Sequence, residues 1–195
     1  MKNRYIRIVK ELKREGLISP VTSMSLRIPD YKMAITTPYP SMELISISYI
    51  RKELRWEEGS WDTPIHAKIY RRIERAKGVL FLFLPELLAI VEKEKEFKPI
   101  DLWGKGLISE MGLLELETEI EEGLVSLHRK GHYRESTIFP TQLDAKFIQP
   151  LIHHLTEKNI IIIPQTGVYI VGRSWEELLR KGLTLYHSAL LLLNR

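Results

Sequence analysis

The chain has no cysteine, so disulfides and thiolate metal ligands are excluded, in keeping with a reducing compartment. Long apolar runs are missing too. The longest, Gly78 to Leu84, falls far short of the roughly 20 residues needed to cross a bilayer. The opening residues MKNRYIRIVKELKREG are charged throughout and lack the apolar centre of a secretion signal, so a cytoplasmic protein is expected. Nor is there a large excess of one charge sign: 29 Lys and Arg stand against 25 Asp and Glu, mixed along the chain. A nucleic-acid binder carries a concentrated basic face, so neither nucleic acid nor membrane is an expected partner. No repeat, low-complexity tract or long linker interrupts the 195 residues, a length that suits one core and a single domain over 1–195.

What is present switches between helical and extended periods. Ile6, Ile8, Val9 and Leu12 roughly keep helical spacing and Gly16 stands where a cap belongs, predicting a first helix. Met24, Leu26 and Ile28 alternate with Ser25 and Arg27; Pro29-Asp30 supplies a turn before Lys32 to Thr36, and the pattern reads as a hairpin. Leu44 to Tyr49 alternates as a third strand after Pro38-Tyr39-Pro40. Thr63 as a cap with Pro64 behind it starts a helix running to about Lys77. Gly78 to Leu84 has the pattern of a fully buried central strand, and Pro85 opens a helix to about Glu96.

Between Phe97 and Phe139 the pattern is irregular, with a helix over Leu113 to Glu122 and a short strand over Leu124 to His128 set among many glycines. Leu143, Phe147, Ile148, Leu151, Ile152 and Leu155 form one helical stripe within Thr141 to Lys158, with Pro150 as a kink point. Ile160 to Ile163 and Val168 to Val171 are strands. Ser174 and Glu177 form a capping box for the last helix. Its stripe of Leu178, Leu179, Leu183, Tyr186, Leu190 and Leu193 suits the core, while the excess of Leu at 190 to 193 covers more than one face and points to burial against another subunit. Sequential strands with helices among them imply an α/β sandwich whose mixed or antiparallel sheet is covered by helices.

The closing run from Ile160 to Arg195 resembles the end of the class II aldolase/adducin family, in which a zinc-binding histidine stands immediately before a glycine; Thr166 precedes Gly167 here. Other segments are similar to the same family. Its Gly-Asn-(Ile)-Ser-x-Arg strand corresponds to Thr22-Ser23-Met24-Ser25-Leu26-Arg27, and its threonine-proline pair to Ala34-Ile35-Thr36-Thr37-Pro38. Its Ser-Ser-Glu, followed by a histidine and a tyrosine at intervals of four, is matched by Ser60-Trp61-Asp62 with His66 and Tyr70. Its His-x-His strand, closed by a proline, falls on Val79 to Pro85, where Phe81 and Phe83 take the histidine positions.

The resemblance implies a three-layer α/β/α fold with a central, mostly antiparallel sheet. It places Asp62 at the catalytic glutamate position, and Thr22, Ser23, Thr36, Thr37 and Ser60 around a small phosphorylated ligand. It also implies a homo-oligomer, with the tetramer of the family's aldolases as the expected form. The zinc that family aldolases use to polarise a sugar-phosphate carbonyl lacks its ligands, since Phe81, Phe83 and Thr166 occupy their positions. The expectation is therefore no cofactor and a binding or structural module without aldolase activity, as in adducin. The alternative left open is a metal-dependent sugar-phosphate aldolase or lyase that holds zinc through Asp62 and His66, or through His128 and His132.

The residue types admit plainer roles as well. Asp62 and His66, four apart on a helix, make a structural pair as readily as a ligand set. Phe81 and Phe83, two apart, point to one side of a strand and suit a core. The adjacent His153 and His154 point about 100° apart on a helix and cannot readily share an ion. Arg71, Arg72, Arg75 and Lys77 offer phosphate contacts, but cations also suit a helix C-terminus.

Overall fold

The structure, a computed structural model, describes residues 2–37, 39–50, 59–115 and 145–195. Helix α1, Lys2–Arg14, buries Tyr5, Ile8 and Leu12 and turns Arg4, Arg7 and Lys10 outward. It stops at Gly16, whose φ of 71° closes the last turn as Leu17 N–H reaches the Leu12 carbonyl at 2.8 Å. Strands β1, Ser23–Ile28, and β2, Lys32–Thr36, form the expected hairpin, and Asp30 and Tyr31 take the left-handed conformation in its turn. Strand β3, Leu44–Ser48, pairs with β2.

Then follow α2, Thr63–Arg72; β4, Gly78–Leu82; and α3, Pro85–Glu94. A short α4, Leu102–Lys105, and a 3-10 turn, Ile108–Glu110, lead into β5, Met111–Leu113. The chain closes with α5, Ala145–Glu157; β6, Ile160–Ile163; β7, Gly167–Gly172; and α6, Trp175–Leu193. Ser174 caps α6 by accepting from the Glu177 N–H at 3.2 Å, while the Glu177 carboxylate accepts from the Arg173 N–H at 2.8 Å, one residue earlier than in a standard capping box.

The sheet runs β3-β2-β1-β4-β7-β6-β5, so β4 is its middle strand. Every pairing is antiparallel except that of β5 with β6. Alternation along the central strands divides the core in two. Leu80, Leu82, Ile160, Ile162, Val168 and Ile170 pack with α1, α3 and α6. Val79, Phe81, Ile161, Ile163, Tyr169 and Val171 pack with α2 and α5 on the other face. This is the three-layer α/β/α arrangement, and β4, β6 and β7 are buried along their whole length because helices cover both faces. Among the described residues, no helix is long and apolar enough to cross a membrane.

Several boundaries differ from the sequence reading: β4 ends at Leu82 rather than Leu84, and α3 at Glu94 rather than near Glu96. Helix α2 ends at Arg72 rather than near Lys77, because the Arg27 guanidinium draws off the Tyr70 and Ile73 carbonyls and Ile73 turns extended. Its cap residue is Asp62, not Thr63, whose hydroxyl donates to the Ser60 carbonyl at 2.7 Å. Leu113 belongs to β5 instead of opening a helix, since Leu113 pairs with Ile162. Leu114 and Glu115 are not helical either, and residues 116–122 of that expected helix, the strand over Leu124 to His128 and the pair His128 and His132 lie outside the described residues.

Candidate functional site

Ser23, Phe81 and Tyr169 stand side by side across β1, β4 and β7. Residues directly opposite in a ladder share a face, and this row faces α2, where Asp62 and His66 lie one turn apart. Asp62 accepts no hydrogen bond from the backbone N–H groups of its helix, although a cap aspartate ordinarily does. Its carboxylate reaches across to the sheet instead. Oδ1 accepts from Ser60 Oγ at 2.7 Å. Oδ2 accepts from Ser23 Oγ at 2.7 Å, from His66 Nε2 at 3.0 Å and from the Tyr169 hydroxyl at 3.1 Å.

The bond to Asp62 fixes Nε2 of His66 as a donor and leaves Nδ1 facing Ser25 Oγ at 2.6 Å. Ser25 in turn lies 2.7 Å from the hydroxyl of Tyr70, a further turn along α2. A continuous chain therefore runs from Tyr70 through Ser25 and His66 to Asp62. Asp62 and His66 have no exposed surface. Burial works to raise the Asp62 pKa, but the His66 charge and the hydrogen bonds from His66, Ser23 and Ser60 outweigh it and hold the carboxyl below the usual range. Burial, with the Asp62 charge and hydrogen bond, pushes the Tyr169 phenol well up. Burial likewise raises Tyr70.

An aromatic wall closes this network. The Phe81 ring lies 4.8 Å from that of Tyr169 and 5.2 Å, edge-on, from that of Trp61. Trp61 is anchored by its indole N–H to the Val21 carbonyl at 2.8 Å. Gly167, with φ 151°, sits so close that a Cβ there would lie 2.4 Å from Phe81 Cζ and 2.7 Å from the Leu82 carbonyl oxygen. Phe81 thus packs against Gly167. Phe83 does not join it: it lies beyond the last residue of β4 and is 38% exposed.

The hydroxyls at the expected ligand positions divide among separate tasks. Ser23 and Ser60 converge on Asp62. Thr22 donates to the Leu17 carbonyl at 3.1 Å, and Thr36 accepts from the Met24 N–H at 3.1 Å. Thr37 accepts from the Glu43 N–H at 2.8 Å and faces Ser41 at 2.8 Å. Tyr169 does not stand out in the sequence; a tyrosine within an apolar strand is the signal that could have found it, since a buried phenol requires a partner.

Zinc requires about three strong protein ligands and an open position, and the residues present do not fit it. Positions 81 and 83 offer hydrocarbon rings, Thr166 a neutral hydroxyl, and Asp62 a carboxylate already bound by four donors. Among the described residues, no three His, Cys, Asp or Glu side chains are grouped to hold an ion. His153 and His154 lie on α5 with ring centroids 5.8 Å apart. Arg75 is bound elsewhere, donating to the carbonyls of Leu155 and Thr156 at 2.6 Å each at the end of α5.

A second polar cluster lies toward the Gly172 end of β7. Lys181 on α6, 1% exposed, places Nζ 2.6 Å from Glu110 and 2.8 Å from Glu177. Both carboxylates border a cleft of about 350 Å³ together with Arg75, Asn159 and Arg173.

Solved structures with the same fold include L-fuculose-1-phosphate aldolase from Thermus thermophilus, at 18% identity and TM-score 0.75 over 98% of this chain and 92% of that one. A sugar-phosphate aldolase from Thermotoga maritima matches at 15% identity and TM-score 0.64 over 98% of this chain and 93% of that one. The N-terminal class II aldolase domain of a Thermoplasma acidophilum protein matches at 11% identity and TM-score 0.58 over 95% and 92%. No curated protein matches the chain. At these identities the likeness carries the fold. Residues 5–193 match the family described as Class II Aldolase and Adducin N-terminal domain, and over that span the chain belongs to the class II aldolase and adducin family.

Proposed function

We propose that this chain has kept the family scaffold as a single domain over 1–195, without zinc-dependent aldolase activity, and serves as a binding or structural module. The observation that carries this reading is the Asp62 carboxylate, which has no exposed surface and holds four donors. A carboxylate has about four lone-pair sites, so one so engaged is poorly placed to take a substrate proton. Phe81, Trp61 and Tyr169 fill the space beside it with rings. A small phosphorylated ligand at Ser60, Thr36 and Thr37 would have to displace the hydrogen bonds these residues now make.

The reading includes a homo-oligomer, a tetramer by the family resemblance. Leu102 and Trp103 on α4 are 79% and 76% exposed, and Leu191 and Leu193 on α6 are each 51% exposed. Such side chains, tryptophan above all, are those that interfaces bury. Sedimentation of the purified chain tests the assembly, and Trp103→Lys is expected to shift it toward monomer.

The activity is tested by incubating the protein with a panel of ketose and aldose phosphates, with added zinc and with EDTA. No cleavage is expected in either condition. Turnover that zinc supports and EDTA abolishes would favour the rival, a metal-dependent aldolase or lyase with ligands other than the family histidines.

A further inference from the structure

We infer that Tyr169 is the residue that closes the site, holding Asp62 as a buried structural anion. The inference rests on the reading of a lost activity and adds to it a residue and a cause. Asp62 stands at the cap of α2 yet caps none of its backbone N–H groups, forgoing the usual contribution of a cap. Its carboxylate is committed instead to groups on two strands, Ser23 on β1 and Tyr169 on β7, 39 and 107 residues away. Tyr169 stands in an apolar strand with no exposed surface, where an aliphatic side chain would pack without needing a partner. A buried phenol must be hydrogen-bonded, and Asp62 is the acceptor it has.

The same ring supports Phe81 at 4.8 Å, and Phe81 in turn presses on Gly167. Tyr169, Phe81 and Gly167 are therefore interlocked. Restoring an imidazole at position 81 alone would leave Asp62 still bound to the phenol, so the loss of the site is a rebuilding of its interior and not merely a deletion of ligands. Tyr169 acts through Asp62 and is a positioning residue.

The test is a double-mutant cycle of Tyr169→Phe and Asp62→Asn, read by thermal unfolding. Tyr169→Phe removes one hydrogen bond to a charged acceptor while keeping the ring, and is expected to lower the melting temperature by about 5 °C. In the Asp62→Asn background the same change is expected to cost less than half as much. A second reading is the carboxyl carbon resonance of Asp62 in aspartate-labelled protein, which is expected to move in Tyr169→Phe and to stay in Phe81→Leu, where packing alone changes. Equal shifts in both backgrounds, or an unmoved Asp62 resonance in Tyr169→Phe, would overturn the inference. Should Asp62→Asn not fold, the resonance decides alone. Zinc-supported turnover by the unaltered protein would sink the proposed function without touching this coupling, so the two failures are distinguishable.

Discussion

Lys181 Nζ lies 2.6 Å from Glu110 Oε2, joining the middle of α6 to the turn that feeds β5. Glu177 completes the cluster at 2.8 Å, and Asn159 donates to the same Glu110 oxygen at 2.9 Å. With Lys181 almost fully buried, its removal leaves two carboxylates facing each other. Lys181→Ala is expected to destabilise the fold by about 3 kcal/mol in urea unfolding, the scale for breaking a buried ion pair. A loss below about 1 kcal/mol would mean that water replaces the ammonium without cost.

Acid should unfold this protein through the same groups. Burial disfavours the charged forms of Glu110 and Glu177, but Lys181, aided by Asn159 at one and the Arg173 amide at the other, holds both pKa values below the ordinary range. Asp62 is shifted the same way. A carboxyl whose folded pKa is lowered contributes stability that is complete above its unfolded value, about 4.3 for Glu and 3.9 for Asp, and that disappears as pH falls through the folded value. The urea midpoint is expected to stay level from pH 7 to about 5 on this account and to fall steeply below about 4. Glu110→Gln with Glu177→Gln should flatten that fall; an unchanged slope would contradict the assignment.

Gly167→Ala should be severely destabilising, by about 3 kcal/mol or more, through overpacking and strain at a positive φ. A partial rescue is expected from Phe81→Ala, which withdraws the ring atoms 2.4 and 2.7 Å from the new methyl but leaves the Leu82 carbonyl in place. Calorimetry of the two single variants and the double measures it.

Arg75 serves a helix other than the one it follows. Its guanidinium binds the carbonyls of Leu155 and Thr156, which the end of α5 leaves free, and beyond them the Lys158 carbonyl and the Asn159 side chain. Arg75→Lys cannot reproduce that fork and is expected to cost about 1–2 kcal/mol. Hydrogen exchange should show the loss concentrated at the end of α5 and the start of β6.

Much of this fold is written locally. The apolar runs of β4, β6 and β7 are legible because both faces of each are buried, and the Ser174 cap is legible because its partner Glu177 lies three residues on. The spacing of Asp62, His66 and Tyr70 places them on one helix face, and that face is the one that meets β1. What could not be read depends on register. Nothing near Tyr169 says that it stands opposite Phe81, or that Phe81 stands opposite Ser23. The end of α2 escapes a local reading for a similar reason: the charged run toward Lys77 suits a helix, and what stops it is Arg27, far back in the chain. Phe81 and Phe83 look equivalent by alternation, yet the ladder ends at Leu82 and only Phe81 enters the core.

The most direct test is the zinc content of the chain, purified from zinc-supplemented cells, dialysed and measured by elemental analysis. Far less than one zinc per chain is expected, with no zinc-dependent rise in melting temperature. One tightly held zinc per chain, removed by EDTA and restored on readdition, would contradict it.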